Sequence, residues 1–302
     1  MKKQYTVEEV LVSDNIIDLI YKDGQIEAPA QLQGKNINKP LILKSEFDKQ
    51  KTAIAKLTSK DVLSKVTVSK NFEMSGLRPR DVKQRFFVDA LLSEEIKVCV
   101  ALGSAGTGKT TVAVAYALKH LFENQKVVHL CKPTALVGEM SETFGPVPGD
   151  VQEKYAPHTT HFKIVMQKLL GERASEYIEL LLKKKQIQFT PAEFVRGCTF
   201  DNATFIVDEA QNFTWHELKS IASRMGQDTK LILIGDPYQI DRSFSLRESG
   251  IYTMLQSKAF RESPLTSCIY LTEQYRGPIP ALITDIDNEN NQQQEYKNRK
   301  NT

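Results

Sequence analysis

Three stretches of the 302-residue chain carry side chains whose types and spacing suit phosphate chemistry. The run Gly103, Ser104, Ala105, Gly106, Thr107, Gly108, Lys109, Thr110 fits the pattern GxxxxGK[ST], and Thr111 follows it. Such a loop turns backbone N–H groups toward phosphate oxygens, and its glycines let the backbone come close to them. Lys109 would bridge the β and γ phosphates of a nucleotide, and the Thr110 hydroxyl would ligate Mg²⁺. Residues Lys97–Leu102 before the loop read as a buried strand and Thr111–Leu121 after it as a helix. That order points the positive end of a helix at the anion. A glycine-rich turn between strand and helix is the plain alternative.

The second stretch is the apolar run Thr204–Val207, which ends in Asp208-Glu209-Ala210-Gln211. Carboxylates at the carboxyl end of a parallel strand stand in the crevice where open sheets bind ligands. Asp208 suits a Mg²⁺ role, direct or through water, and Glu209 suits polarisation of an attacking water. An isolated Asp-Glu pair is more often a solvated helix start, but its place downstream of a phosphate loop favours the catalytic reading. In the third stretch, Leu231–Ile234 leads into Gly235-Asp236-Pro237-Tyr238-Gln239. Gln239 would bond the γ-phosphate or the attacking water; an incidental glutamine in a Gly-Asp-Pro turn competes with that reading.

The elements that must position these groups alternate in a recognisable way. Compact apolar runs at Val98–Leu102, Val127–Cys131, Thr204–Val207, Leu231–Ile234 and Ile269–Leu271 are each separated by turn chemistry and helical periodicity. Buried parallel strands with crossover helices read like this, so the expected class is α/β with a central parallel sheet over residues 76–287. Residues 1–75 have a different texture and predict a small mixed α+β accessory domain. It has a helix capped by Ser13 and stopped by Gly24, then brief strands at Leu41–Leu43 and Ala53–Ala55. Residues 288–302 are polar without periodicity and predict disorder. No internal repeat is evident.

Composition excludes several classes. Forty basic against thirty-seven acidic residues leave a formal charge of +3, too weak a field for a protein that coats nucleic acid in bulk. The start MKKQYTVEEVLVSD lacks the apolar stretch of a signal peptide, and no run of about 18 apolar residues predicts a membrane span. Cys99, Cys131, Cys198 and Cys268 lie far apart with no CxxC pair, which predicts free buried thiols and a cytoplasmic location.

Taken in order, these motifs resemble the PhoH family of P-loop ATPases, which is related to superfamily 1 helicases. The likeness runs from residue 76 to about 285. It includes the phosphate loop, CKPTALVGE at 131–139, GPVPGDVQEKYAP at 145–157, VRGCTFDNATFIVDEAQN at 195–212 and ILIGDPYQID at 232–241. The resemblance implies a RecA-like domain that binds and hydrolyses Mg-ATP, coupled to single-stranded RNA or DNA, as a helicase or remodeller. It also implies that Gln84 in GLRPRDVKQRFF reads adenine, although spacing alone prefers a surface glutamine on a helix. One position departs from the family: Lys132-Pro133 stands where Arg-Pro is common, and lysine lacks the planar fork of arginine. Residues 1–75 resemble the connecting segment of longer members that begin with a nuclease domain. Without that domain, no nuclease activity is expected.

Too little chain follows Gln239 for a second RecA-like domain, so an arginine finger must be found elsewhere. Arg276 in LTEQYRGP is the nearest match to a family position, and Arg224 is a candidate to act in a neighbouring subunit. A head-to-tail interface of that kind closes into a ring, and the resemblance implies a hexamer. Two other functions compete: an ATP-gated interaction protein that does not translocate, and a P-loop kinase, disfavoured by the Asp236/Gln239 motif.

Several further groups have a plain reading beside a functional one. His158 and His161 have metal-like spacing but no third ligand nearby, and a capped loop-to-helix start explains them better. Lys183, Lys184 and Lys185 end a helical stretch, where cations complement the dipole or touch phosphates. Arg78, Arg80, Lys83 and Arg85 form the denser basic cluster, shared between an adenine pocket and nucleic acid. Phe213 and Trp215 read as core or interface packing.

Overall fold

A computed structural model describes the backbone of residues 2–59, 61–133, 151–171, 174–241, 244–275, 277–279, 282 and 286, and the side chains of these except at 2, 3 and 151–159. Arg276, the His158 side chain, residues 134–150 and the tail 288–302 lie outside this description.

The first part of the chain builds α1 (Lys2–Tyr5), β1 (Glu8–Val12), α2 (Asp14–Asp23), β2 (Gln25–Glu27), β3 (Pro40–Ser45), β4 (Thr52–Leu57) and β5 (Val62–Lys65). These strands form one sheet in the order β1-β3-β4-β5-β2, with β1 parallel to β3 and the other pairs antiparallel. Helix α2 starts after an extended Ser13 and stops at Gly24, whose φ of 75° an L side chain rarely adopts. Its buried face, Ile17 and Ile20, packs with Leu41, Leu43, Ala55 and Leu63 into a separate core. The brief strands expected at Leu41–Leu43 and Ala53–Ala55 are the centres of β3 and β4.

The rest builds α3 (Val82–Leu92), β6 (Val98–Leu102), α4 (Lys109–Asn124), β7 (Val127–Cys131), α5 (Val151–Leu170), α6 (Ser175–Lys183), β8 (Ile187–Phe189), β9 (Ala203–Val207), α7 (Trp215–Ala222), β10 (Lys230–Gly235), α8 (Gly250–Gln256), α9 (Lys258–Glu262) and β11 (Thr266–Tyr270). The sheet order is β11-β6-β10-β9-β7-β8, and every pair is parallel. Strands β9 and β10 are buried at every residue because both faces are covered. One face packs Cys99, Ile206, Ile232 and Ile234 against α3 and α4, and the other packs Val100, Phe205, Val207 and Leu233 against α7 and α8. Each such aliphatic side chain contributes about 1.5–3 kcal/mol on burial. This is the α/β class expected, a wholly parallel sheet with the phosphate-loop strand β6 in its interior.

The two sheets are joined through α3 and β11. Lys56 of β4 pairs with Asp89 of α3 at 2.5 Å, and Asn38 donates to the carbonyls of Pro264 and Thr266 at 3.1 and 2.9 Å. Three cysteines are buried as expected, but Cys198 is exposed, since it follows the short helical turn Ala192–Val195 and not an apolar strand. His161 is exposed within α5, which already begins at Val151. The histidines therefore do not mark a helix start as the sequence suggested.

Candidate active site

Because the large sheet is wholly parallel, the carboxyl ends of its strands share one edge. Leu102 pairs with both Gly235 and Tyr270, and Leu233 pairs with Val207. The residues that follow these strands, Gly103, Asp208, Asp236 and Leu271, therefore converge. The Gly103 N–H donates to the Gly235 carbonyl at 3.2 Å, and the Leu271 N–H to the Leu102 carbonyl at 2.7 Å. Gly103 has no alternative at its position: a Cβ there would lie 2.2 Å from the Leu271 carbonyl oxygen, at a φ of 146°.

The loop Gly103–Gly108 is held from three sides. Within it, Lys109 Nζ donates to the carbonyls of Gly103 and Ser104, and Thr107 Oγ1 to that of Ser104 at 3.0 Å. From the segment after β11, Gln274 Nε2 donates to Ser104 Oγ at 3.2 Å, and the Tyr275 N–H to the Gly106 carbonyl at 3.0 Å. From α3, Gln84 Nε2 donates to the Thr107 carbonyl at 3.0 Å, while its Oε1 accepts from the Arg80 N–H at 2.9 Å. Gly108 opens α4 at a φ of 86°, and a Cβ there would meet Gln84 Nε2 at 2.7 Å. Thr110 and Thr111 lie in the first turn of α4, and Ala105 is half-buried in the loop.

Gln84 is only 3% exposed, so it is not the surface glutamine that spacing favoured. Asp81 caps α3 by accepting the Gln84 N–H at 2.8 Å, which aims this first turn at the loop. Tyr275 completes the corner: its hydroxyl donates to Asp81, and Arg80 lies over its ring at 5.0 Å.

Across the loop, Thr110 Oγ1 donates to Asp208 Oδ2 at 3.3 Å. Burial, and then the charge of Glu209, push the Asp208 carboxyl above its usual range, while the nearby Lys132 ammonium opposes the shift. A hydroxyl and a carboxylate oxygen meeting beside a phosphate loop fit Mg²⁺, which takes few protein oxygens and completes its shell with phosphate and water. Glu209 has a left-handed backbone, φ 53° and ψ 40°, unusual for a residue with a side chain. Its carboxylate accepts from Gln211 Nε2 at 2.8 Å.

The turn after β10 is where the sequence placed it. The Gln239 N–H donates to the Asp236 carbonyl at 3.0 Å, and the Gln239 side chain is exposed at the mouth of the site. The sequence did not single out Gln211 and Asn212, which tie the Asp208-Glu209 segment to this turn. Gln211 Nε2 donates to the Gln239 carbonyl at 2.7 Å, and Asn212 exchanges bonds of 3.2 and 2.9 Å with Asp241. The available signal was a pair of amides directly after the carboxylates in DEAQN.

Other candidates are not brought to the loop. Arg224 follows α7 at the opposite edge of the sheet, where its carbonyl accepts the Phe200 N–H just before β9. Lys183, Lys184 and Lys185 precede β8 and share that far edge. In the basic cluster, Arg78 pairs with Glu73, Lys83 with Glu273, and Arg85 donates to the Val68 carbonyl. Phe213 is buried as expected, whereas Trp215 is 43% exposed, because it occupies the first position of α7, outside the core stripe of Leu218 and Ile221.

Comparison with known proteins gives this site its family. A family described as PhoH-like protein matches residues 76–286. Protein PhoH2 of Bacillus subtilis is 27% identical over 92% of this chain and 63% of its own length. A PhoH-like protein of the same organism is 34% identical over 58% of this chain and 52% of its own. The chain thus spans less than two thirds of the length of these relatives. Among solved structures, the Pif1 helicase from Candida albicans overlaps 66% of this chain and 41% of its own, at 18% identity and a TM-score of 0.34. With the family match covering both the phosphate loop and the paired carboxylates, the chain belongs to the PhoH family and carries its P-loop fold.

Proposed function

We propose that the protein binds and hydrolyses Mg-ATP and couples hydrolysis to single-stranded RNA or DNA. The observation that carries this reading is the 3.3 Å contact between the Thr110 hydroxyl and Asp208, with Glu209 next in sequence. Gly103–Thr111 would cradle the phosphates, Lys109 would leave the Gly103 and Ser104 carbonyls for the β and γ oxygens, and Thr110 and Asp208 would hold Mg²⁺. The metal would neutralise charge on the phosphates, Glu209 would accept a proton from the attacking water, and Gln239 would bond the γ-phosphate or that water. Gln84 would face adenine. Arg276, or Arg224 from a neighbouring subunit of a hexameric ring, would supply the finger. The work would be done in the cytoplasm, as helicase or remodeller.

A second reading is an ATP-gated interaction protein. The internal partners of Arg78, Lys83 and Arg85 favour it, since those cations are already engaged. Turnover measured with and without single-stranded RNA and DNA, across a salt series, separates the two. Stimulation that fades as salt rises supports coupling, and a flat response supports the switch. Glu209→Gln should keep ATP affinity while hydrolysis falls about 10²-fold or more; Lys109→Ala should weaken binding or abolish turnover. Wild-type turnover in Glu209→Gln removes the assignment of that residue.

A further inference from the structure

Gln211 is 0% exposed, and its side chain makes three hydrogen bonds, each to a different part of the site. Nε2 donates to Glu209 Oε2 at 2.8 Å and to the Gln239 carbonyl at 2.7 Å, and Oε1 accepts the Asp236 N–H at 3.0 Å. Its own carbonyl accepts from Ser249 Oγ at 2.9 Å, at the start of α8. Both amide hydrogens are used, and no water is needed to satisfy the group. The fit is tight from the other side as well: a Cβ on Gly235 would lie 2.8 Å from Gln211 Oε1.

These contacts ask for one chemistry. A glutamate at this position would set an oxygen against the Glu209 carboxylate and the Gln239 carbonyl, and an apolar residue would take this partner from both and from the N–H of buried Asp236. Glu209 needs such a hold, because its left-handed backbone gives its side chain a direction that no helix or strand maintains. The carboxylate is therefore fixed relative to the turn after β10 by one amide.

We propose that Gln211 is a positioning residue for hydrolysis, setting the distance between the Glu209 carboxylate and the Asp236–Gln239 turn. The proposal rests on the reading of Glu209 as the base. If the turn moves when nucleotide or nucleic acid binds, Glu209 moves with it through this amide.

The test is Gln211→Glu, which keeps shape and the acceptor toward Asp236 but replaces the donor. The expected result is a kcat lowered about 10²-fold, with KM and affinity for Mg-ATP unchanged, the mark of an interaction used in the transition state. The reciprocal double variant Glu209→Gln with Gln211→Glu restores a donor between the two positions. It should regain the thermal midpoint lost in Gln211→Glu while remaining inactive. Wild-type kcat in Gln211→Glu overturns the proposal, as does an equal fall in kcat and affinity, which would mark a scaffold residue. A double variant no more stable than the single one overturns the contact itself. Full turnover in Glu209→Gln removes the base and this proposal together, whereas an inactive Glu209→Gln beside a fully active Gln211→Glu removes the positioning role alone.

Discussion

Lys56 and Asp89 meet at 2.5 Å between the small sheet and α3, with only 13% and 8% of their side chains exposed. Asp89 also accepts the Thr67 N–H at 3.3 Å, so one carboxylate fastens two segments of the first part of the chain to the helix that carries Gln84. Removing one partner strands a buried charge, which typically costs about 3–5 kcal/mol, whereas replacing both with apolar groups of similar size is often neutral. Lys56→Ala should lower the urea midpoint accordingly, and Lys56→Met combined with Asp89→Leu should recover most of the loss. A change below about 1 kcal/mol in Lys56→Ala would show a pair that behaves as if solvated.

Gln84 has two roles that substitution can separate. Its amide supports the Thr107 carbonyl, and in the proposed function it faces adenine. Gln84→Ala should narrow the preference for ATP over GTP in equilibrium binding. Loss of both nucleotides by the same factor would leave only the loop-supporting role, and equal binding of both by the unaltered protein would dismiss base reading altogether.

Stability should fall on mild acidification, in part through His129. Burial beneath Phe200 and Phe205 lowers its pKa from 6.5 to about 4. The folded protein keeps this ring neutral while the unfolded chain takes up a proton below about 6.5, so the unfolded state binds more protons in that window. The contribution is complete above pH 6.5, declines as pH falls toward 4, and changes no further below that. His120 shifts in the same direction. His129 Nδ1 lies 3.0 Å from Thr190 Oγ1, and thermal midpoints recorded from pH 7 to pH 4 should drop less steeply in His129→Gln, whose amide can keep that bond; identical slopes would exclude His129 as a source.

The edge on which Arg224 stands decides how it can act. It lies away from the loop of its own chain, so it can serve only in a neighbouring subunit. Mixing Lys109→Ala with Arg224→Ala should restore part of the ATPase activity if Arg224 is the finger, because some interfaces then pair an intact loop with an intact arginine. The same mixture with Arg276→Ala tests the other candidate. Full activity in a species that sediments as a monomer would end the ring.

Sequence periodicity located the large sheet well, since strands such as Val98–Leu102 and Val127–Cys131 are short apolar runs bounded by turns on both sides. It did not reveal β1, β2, β5 and β8, whose polar residues alternate or whose length is three to five residues, too little for a period to register. Within the site, Gly103–Thr110 and Asp208 are legible because close backbone approach and a carboxylate at the end of a buried strand each restrict residue type. Gln211 is not, because two of its three hydrogen bonds reach partners 25 and 28 residues away, at Asp236 and Gln239, and leave no spacing in sequence. Gln84 was misjudged from spacing for a related reason: its burial depends on Gly108, brought close only by folding.

The placement of β6 between β10 and β11 bears on how the protein is made. A chain emerging from the ribosome delivers the phosphate loop early, yet both strands that flank it come later, and the Leu271 and Gln274 contacts come last. At about 5–20 residues per second, the interval is on the order of ten seconds. Until β10 emerges both long edges of β6 are open to mispairing, and the edge that meets β11 stays open longer. Nucleotide captured by the nascent loop cannot meet its complete set of partners until β11 is out, so the last strand among the described residues is the one that finishes the pocket begun at β6.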